Sequence, residues 1–256
     1  MDVQVLFHDR CFDGLCSAAV FTRFYRERID PSATFRYKGL THKQGTSFTP
    51  DVWSDAPVHA CVDFRFSADP RLTWWFDHHK SAFEQPADEA AFQADTTGRK
   101  FLDVKAKSCT GFLARTAAAK FGFDLTPLAD LLHWADVVDG ALFPDPAFAV
   151  DLPAPALKLM LLAEACTDPA LLERLIGVLA TVPLADVVAL PWVKEALDPL
   201  LDVHFRTVAL ISERASEDRG VVTFDVADER IDNFNKFIGY RKFPDARYSV
   251  GVSAGA

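Results

Sequence analysis

Short apolar runs alternate with helix-spaced segments over the first 120 residues of the chain. The runs at residues 3–7, 58–64 and 71–76 are rich in β-branched and aromatic side chains, which predicts strands buried on both faces. Residues 13–27 follow the first run and carry apolar positions at helical spacing. Strands that alternate with helices are typical of an α/β fold, in which a parallel sheet is flanked by helices.

The rest of the chain has a different pattern. From residue 108 onward it predicts a helical second half, with helices at 110–121, 127–138, 155–166, 169–180, 184–190 and 194–214. The last residues predict a small C-terminal α+β piece, with a strand at 220–226, a helix at 231–243 and a strand at 246–253. We therefore expect three parts: a large domain over 1–190, a connecting helix or linker over 191–219, and a small domain over 220–256.

One segment, residues 175–193, is long and apolar enough to raise the question of a membrane span. It holds a single charge, Asp186, but Pro183 and Pro191 interrupt it, which predicts two short buried helical pieces. The N-terminus reaches charges too early for a signal peptide. The five cysteines are scattered and form no CxxC pair, so we expect reduced thiols and a cytoplasmic location.

The charge of the chain restricts its partners. Lysine and arginine number 27 against 36 acidic residues, a formal net charge of −9. This balance argues against a grip on long duplex nucleic acid, and no membrane partner is expected. A small phosphate ligand remains compatible with it, because a bound metal ion can reverse the local charge. The formation of a homodimer is left open.

Carboxylates and imidazoles follow each predicted strand of the first half. The strands end in "FHDRCFDG", "CVDF" and "FDHH", and a later helix carries "HWADVVDG". The carboxyl ends of parallel strands meet at one edge of a sheet, so these side chains are predicted to lie together. A mixture of imidazole and carboxylate ligands suits manganese, zinc or iron better than calcium.

Each of these residues also has a structural alternative. Asp9 and Asp13 could serve in a turn or a helix cap, and Asp63 taken alone could cap the next helix. A lone histidine is more often a hydrogen-bonded core residue than a metal ligand. The histidines expected to be structural in this way are His42, His59, His133 and His204. Capping alone does not require two histidines beside Asp77, which favours the site.

Taken in order, these four segments resemble the motifs of the DHH phosphoesterase superfamily, which includes RecJ-like exonucleases, oligoribonucleases, cyclic-dinucleotide phosphodiesterases and manganese pyrophosphatases. The tripeptide "DHH" alone is a weak signal, whereas the ordered set is specific. The resemblance implies a DHH catalytic domain over residues 1–190. It also implies that residues 220–256 correspond to part of a DHH-associated substrate-binding domain. The glycine-rich "GGGH" of that domain does not occur here, and "SAGA" at 253–256 is too weak to replace it.

The resemblance also implies a pair of divalent ions, expected to be Mn²⁺ with Mg²⁺ or Co²⁺ as alternatives. The implied ligands are His8, Asp9, Asp13, Asp63, His78 and Asp136. Asp63 would bridge the two ions, and Asp139 is the alternative to Asp136. Many relatives carry an aspartate where this chain has Cys11, so either the Cys11 thiolate or Asp9 would complete the first ion's ligands.

Further roles follow from the same resemblance. Catalysis is assigned to Asp63, His78 and His79, with His79 contacting the substrate phosphate or protonating the leaving group. Asp77 would orient a ligand of the metal. Arg241 and Lys242 are candidates for substrate binding, with a solvated basic surface as the alternative.

The expected function is that of a manganese-dependent phosphohydrolase, in which water activated by two metal ions attacks phosphorus. Cleavage of short oligonucleotides or dinucleotides is the leading hypothesis. A nucleotide-bisphosphate phosphatase and a poly- or pyrophosphate hydrolase are the alternatives among enzymes. A degenerate metal- or nucleotide-binding protein is the alternative outside them. The sequence has neither a Walker loop nor GxGxxG, so nucleoside-triphosphate motors and Rossmann dehydrogenases are not expected.

Overall fold

The computed structural model describes residues 1–42, 47–229, 231 and 234–254. The strands are Asp2–His8 (β1), Thr34–Leu40 (β2), Val58–Val62 (β3), Leu72–Asp77 (β4), Lys100–Leu102 (β5), Ser216–Asp218 (β6), Val221–Asp225 (β7) and Tyr248–Val252 (β8). The α-helices are Phe12–Arg28 (α1), Pro86–Gln93 (α2), Cys109–Phe121 (α3), Ala129–Asp139 (α4), Pro146–Asp151 (α5), Pro155–Ala165 (α6), Pro169–Leu179 (α7), Leu184–Ala189 (α8), Pro191–Arg214 (α9) and Ile238–Lys242 (α10). The chain divides into two compact units: Met1–Leu142 with Ala163–Val187, and Phe143–Leu162 with Val188–Ala256.

The first unit is built on a parallel sheet with the strand order β2-β1-β3-β4-β5. Side chains of the central strands alternate between two cores. Trp75 packs on one face near Phe92 of α2, with ring centroids 5.2 Å apart. Trp74 and Phe76 face the other way, toward Phe21 of α1, at 6.1 and 6.3 Å. Both faces of the sheet are therefore covered, and the predicted α/β fold is confirmed.

The first turn of α1 lies unusually close to the end of β1. Gly14 permits this contact, because a Cβ atom at this position would lie 2.2 Å from the backbone oxygen of His8. Gly111 of α3 leaves room for a side chain of α4, since its Cβ would lie 2.6 Å from Oδ1 of Asp136. Gly14 thus lets the beginning of α1 reach the edge where the strands end, and Gly111 leaves space for Asp136 beside α3.

The second unit combines α5, α9, α10 and a small mixed sheet. In this sheet β7 pairs antiparallel with β6 and parallel with β8. Residues 143–162 belong here rather than to the predicted domain 1–190, because Val150 shares a core with Val208 and Val222. His204 of α9 also contacts the backbone oxygen of Val150 at 2.7 Å. The predicted linker over 191–219 is consequently part of this unit.

Most predicted elements occur with small changes at their ends, and the omissions have physical reasons. The predicted strands at 3–7, 58–64 and 71–76 are β1, β3 and β4. The sequence analysis missed β2, an edge strand with Arg36 and Lys38 partly exposed, and β5, which has three residues. It also missed α5, which is short, and α2, which buries no residue and so lacks an apolar stripe.

At the C-terminus and in the apolar segment, the outcome differs in detail from the prediction. The helix predicted over 231–243 is reduced to α10, and residues 232 and 233 lie outside the described residues. The last two residues of "SAGA", 255 and 256, also lie outside them. The apolar segment 175–193 is divided among α7, α8 and α9, with Pro183 between α7 and α8 and Pro191 as the first residue of α9. In the described part of the chain, every helix is too short or too polar to cross a membrane.

We predict that Gly14→Ala destabilises the first unit by ~1–3 kcal/mol, because the added methyl group must displace the backbone at the end of β1. Urea unfolding followed by tryptophan fluorescence measures the effect. Gly177→Ala in α7 is the matched control, since a Cβ at that position meets nothing within 4 Å. There alanine should stabilise the helix by up to about 1 kcal/mol. Equal unfolding midpoints for the two variants would contradict the close contact.

Candidate metal centre

Three neighbouring strands end at one edge of the sheet, and each ends in groups able to bind a metal. His8 is the last residue of β1, Asp63 directly follows β3, and Asp77 ends β4. His78 and His79 come next along the chain. Because β1, β3 and β4 are parallel neighbours, this edge gathers the side chains that the sequence places far apart.

Asp63 is at the centre of this edge. Its backbone has a left-handed φ of 55°, and its N–H donates to the oxygen of Phe76 at 2.9 Å. The carboxylate is almost completely buried. Its Oδ2 lies 3.4 Å from Nδ1 of His8, and its Oδ1 lies 3.4 Å from Nε2 of His78. The two oxygens thus face two different imidazoles, and neither has a hydrogen bond from any described residue.

The two histidines after β4 are oriented by acceptors behind them. Nδ1 of His78 lies 3.3 Å from the oxygen of Ala106, which leaves its Nε2 directed toward the carboxylates. Nδ1 of His79 donates to Oδ1 of Asp77 at 2.7 Å. A ligating histidine in metalloproteins usually donates its other ring N–H in this manner. The arrangement fits the supporting role expected for Asp77.

Asp13 connects α1 to the beginning of α3. Its buried carboxylate accepts hydrogen bonds from the backbone N–H groups of Cys109, at 2.6 Å, and Thr110, at 3.0 Å. These donors belong to the first turn of α3, where helices leave their N–H groups free and favour negative charge. Oδ2 of Asp13 also lies 3.7 Å from Nε2 of His78. Asp13 is therefore held rigidly beside the imidazole.

The two aspartates of α4 have different surroundings. Asp139 reaches the site, with its Oδ2 at 3.4 Å from Nε2 of His78. Asp136 lies one turn earlier and accepts from Oγ of Ser108 at 2.5 Å, with Arg115 at 3.3 Å. The structure thus brings Asp139, rather than the preferred Asp136, to His78.

Cys11 completes one side of the cluster. Its sulfur, a ring nitrogen of His8 and a carboxylate oxygen of Asp63 all lie within 4.8 Å of one another. The same limit holds for Asp63, His78 and His79, and for Asp13, His78 and Asp139. Asp9 is absent from these groups within the described residues, since its carboxylate accepts from the N–H of Arg10 and packs on Gly39.

The remaining candidates are engaged in the second unit. Nε of Arg241 donates to Oδ1 of Asp151 at 2.7 Å, and Nζ of Lys242 donates to the oxygen of Ala215 at 2.8 Å. Both cations thus have partners within their own unit. These contacts do not support substrate binding by the two residues, and they also differ from the freely solvated basic surface given as the alternative.

His42 is a residue of this edge that the sequence analysis missed. Its ring stacks on Phe64 with centroids 4.6 Å apart and meets His8 edge-on at 4.9 Å. Burial lowers the pKa of His42, and the charges of His8 and Arg65 lower it further. His42 follows β2. Because the sequence analysis did not predict this strand, it did not place His42 at the edge of the sheet.

The other three histidines have separate roles. His59 and His204 are buried and contact backbone oxygens, so their structural assignment is confirmed. His133 is exposed on α4 beside Trp134 rather than buried in a core.

The electrostatics of the site are those of crowded carboxylates. Burial alone raises the pKa of Asp63, but His78, His8 and His79 outweigh it and lower the pKa to about 2. Burial lowers the pKa of His78, whereas Asp63, Asp13 and Asp139 raise it to about 10. For Asp13, burial and then the charges of Asp63 and Asp139 raise the pKa well above its usual value. Negative charge is concentrated here, which favours a cation.

The hydrogen bonding of the buried polar atoms also fits a metal site. Both oxygens of Asp63, Nδ1 of His8 and Nε2 of His78 lack hydrogen-bond partners among the described residues. Buried polar atoms are rarely left unpaired, so a common ligand would explain them together. Two donor atoms that each bind one ion at about 2.1 Å lie about 3.0–3.4 Å apart. The observed 3.4 Å separations in the cluster agree with this spacing.

Comparison with known proteins supports the fold. No protein-family model and no curated protein matches the chain. The chain is similar to the structure of a pGpG-specific phosphodiesterase, PggH, from Vibrio cholerae, with 18% identity and a TM-score of 0.64, covering 98% of this chain and 77% of that chain. This similarity supports the fold, a parallel sheet flanked by helices and followed by a small C-terminal sheet.

The chain is more distantly similar to two further solved structures. One is that of an exopolyphosphatase-related protein from Bacteroides fragilis, at 10% identity and a TM-score of 0.44, covering 89% of this chain and 66% of that chain. The other is that of an uncharacterized protein from Helicobacter pylori, at 12% identity and a TM-score of 0.36, covering 98% and 83%.

We predict that Asp139→Asn stabilises the metal-free protein by a few tenths to about 1 kcal/mol at neutral pH. Burial and Asp63 raise the pKa of Asp139, so its ionised form opposes folding, as does its place at the C-terminal end of α4. The gain should vanish in acid, below about pH 4, where the carboxyl group is protonated in both states. Urea unfolding in the presence of a chelator measures it.

Asp136→Asn is the matched control on the same helix. It weakens the contacts with Ser108 and Arg115 and should destabilise the protein by about 1 kcal/mol. Destabilisation of equal size in both variants would show that Asp139 is not held among repelling charges.

Proposed function

We propose that this chain is a phosphohydrolase of the DHH type that uses divalent cations. The observation that carries the proposal is the buried carboxylate of Asp63, whose unpaired oxygens face His8 on one side and His78 on the other. A single carboxylate shared in this way is the arrangement expected of a two-metal site. The order of the four sequence motifs and the similarity in fold support the same class.

The cations would be held by a set that differs in two places from the one expected from sequence. Its imidazole and carboxylate members are His8, Asp13, Asp63, His78 and Asp139. Asp136 is replaced by Asp139, and Asp9 is left out because its carboxylate lies in its own turn. Carboxylate and imidazole donors suit Mn²⁺, which we propose as the cofactor. Bound divalent cations supply positive charge that activates water and stabilises the charge on phosphate oxygens.

His79 is proposed to act on the substrate. Oδ1 of Asp77 accepts a hydrogen bond from Nδ1–H of His79 and thereby fixes the orientation and tautomer of the ring. Nε2 is then the atom that can contact a phosphate oxygen or pass a proton to the leaving oxygen. The His79 side chain is one-third exposed, so a ligand can reach it, whereas Asp77 is fully buried. Asp77 is accordingly a positioning residue.

A short phosphodiester is the proposed substrate. The net charge of −9 disfavours a long nucleic acid, whose binding depends on many basic contacts. The similar structure from Vibrio cholerae is described as specific for pGpG, which makes a linear dinucleotide the first compound to test.

The purified chain, loaded with Mn²⁺, should hydrolyse pGpG faster than a nucleotide bisphosphate, pyrophosphate or an aryl phosphodiester. The measurement is product formation by chromatography at matched substrate concentrations. Faster hydrolysis of the bisphosphate or of pyrophosphate would show that the substrate belongs to that class instead. Failure with all of them, with metal binding retained, would contradict an enzyme and favour a binding protein.

The ligand set is tested by metal-induced stabilisation, which does not depend on turnover. Mn²⁺ at 100 times its dissociation constant should stabilise the wild-type protein by about 2.7 kcal/mol. His78→Ala should lose most of this gain and also lose activity, because it removes the nitrogen that faces three carboxylates. Asp9→Asn is the matched control and should retain both. Loss of the metal-induced stabilisation in Asp9→Asn, or full activity in His78→Ala, would overturn the proposed ligands.

A further inference from the structure

Cys11 has a side chain whose position is not explained by helix capping. It precedes the first residue of α1 with extended backbone angles, φ −133° and ψ 130°. At this position a serine, threonine or aspartate commonly accepts a hydrogen bond from the helix, but the Cys11 side chain makes no capping bond. Its backbone oxygen accepts from Leu15 at 3.1 Å, as in a normal first turn. Burial and the charges of Asp63 and Asp13 raise the pKa of the thiol, whereas the backbone N–H of Gly14 faces the sulfur and lowers it. A sulfur with one such neighbour still has lone pairs for another contact.

The neighbours of this sulfur also have free atoms. Nδ1 of His8 and Oδ2 of Asp63 lie 3.4 Å apart, and both are buried without a hydrogen bond from any described residue. The side chain of Asp63 is only 1% exposed, and one of its oxygens lies within 4.8 Å of both the Cys11 sulfur and a ring nitrogen of His8. This unpaired carboxylate is an observation independent of the cysteine, and it indicates that a cation completes the group.

The two sides of Asp63 differ in their donors. His8 lies on the side of Oδ2, and Cys11 forms a group with His8 and Asp63, so this half offers nitrogen, sulfur and one carboxylate. His78 lies on the side of Oδ1, together with the carboxylates of Asp13 and Asp139. Thiolate favours softer ions such as Zn²⁺, Co²⁺ and Cd²⁺, whereas carboxylates suit Mn²⁺ and Mg²⁺.

We propose that Cys11 binds a divalent cation through its sulfur, together with His8 and Asp63, and that this half of the centre selects a softer ion than the other. The inference rests on the proposed two-metal function and refines it. As the cation binds, the thiol releases its proton to solvent and the sulfur donates an electron pair to the metal. Nothing is oxidised or reduced in this step.

Other cysteines of the first unit show why Cys11 is distinct. Cys61 and Cys109 are fully buried, and their sulfurs contact the backbone oxygens of Arg65 and Phe76. Cys166 lies in the loop before α7, with its sulfur 3.6 Å from the oxygen of Asp168. Among the cysteines of the described residues, only Cys11 belongs to a group that could hold a metal ion, so Cys166→Ser can serve as a thiol control.

The test is titration of the metal-free protein with Co²⁺, followed by absorption spectroscopy. Sulfur bound to Co²⁺ gives an intense charge-transfer band in the near ultraviolet, which oxygen and nitrogen ligands do not give. We expect this band in the wild type and in Cys166→Ser. We expect its loss in Cys11→Ser and Cys11→Asp, with Co²⁺ binding by calorimetry retained. Cys11→Asp should also shift the ratio of zinc to manganese affinity toward manganese by about an order of magnitude.

The outcomes separate this inference from the function on which it rests. Binding of Co²⁺ to the wild type without the band would overturn the role of Cys11 and leave the two-metal proposal intact. A band that persists in Cys11→Ser would also overturn it, since another sulfur would then be the ligand. The absence of Co²⁺, Mn²⁺ and Zn²⁺ binding in the wild type would instead contradict the metal centre itself.

Discussion

The parallel pairing of β1 with β3, and of β3 with β4, determines where every group of the candidate site lies. Each strand brings its last residue to the same edge, so His8, Asp63 and Asp77 become neighbours although up to 69 positions separate them in the chain. The hydrogen bond from Asp63 to Phe76 extends the ladder by one residue and turns the chain away with a left-handed φ. A polar cluster is thus placed directly on a rigid apolar base.

This base is what allows the cluster to exist at all. Trp74, Trp75 and Phe76 are almost completely buried and pack against cores on both faces of the sheet. Their burial supplies the favourable free energy that offsets the cost of dehydrating carboxylates and imidazoles at the end of the strand. Asp13 also stabilises the cluster, because its carboxylate accepts hydrogen bonds from the first N–H groups of α3 and lies beside His78. Unfavourable local arrangements of this kind are typical of functional sites.

Elements with a clear pattern of apolar residues could be predicted from the sequence, whereas elements without such a pattern could not. The buried strands β1, β3 and β4 have continuous apolar runs, and α1 and α7 have helical spacing. By contrast, β2 is a partly exposed edge strand, and its stability comes from pairing with β1 rather than from its own composition. The missed strand also explains why His42 was assigned to a core, although its ring lies beside His8.

The sequence by itself determined the kind of chemistry. Strand-end motifs containing His8, Asp63 and His78 were enough to indicate imidazole and carboxylate groups at one edge of an α/β sheet. The tertiary structure decided which atoms meet there. Asp136 and Asp139 are one turn apart on α4 and look equivalent in the sequence, but Ser108 and Arg115 engage the first and leave the second facing His78.

The tertiary structure also decided between Cys11 and Asp9. Both follow β1 within three residues, and either could be a ligand by spacing alone. The turn after β1 directs Asp9 to its own backbone and Gly39, while the close approach of Gly14 to His8 brings Cys11 to the edge with Asp63. Directions of side chains in a turn depend on the packing of α1 against the sheet. Residue types and spacing do not contain that information, whereas the packed structure does.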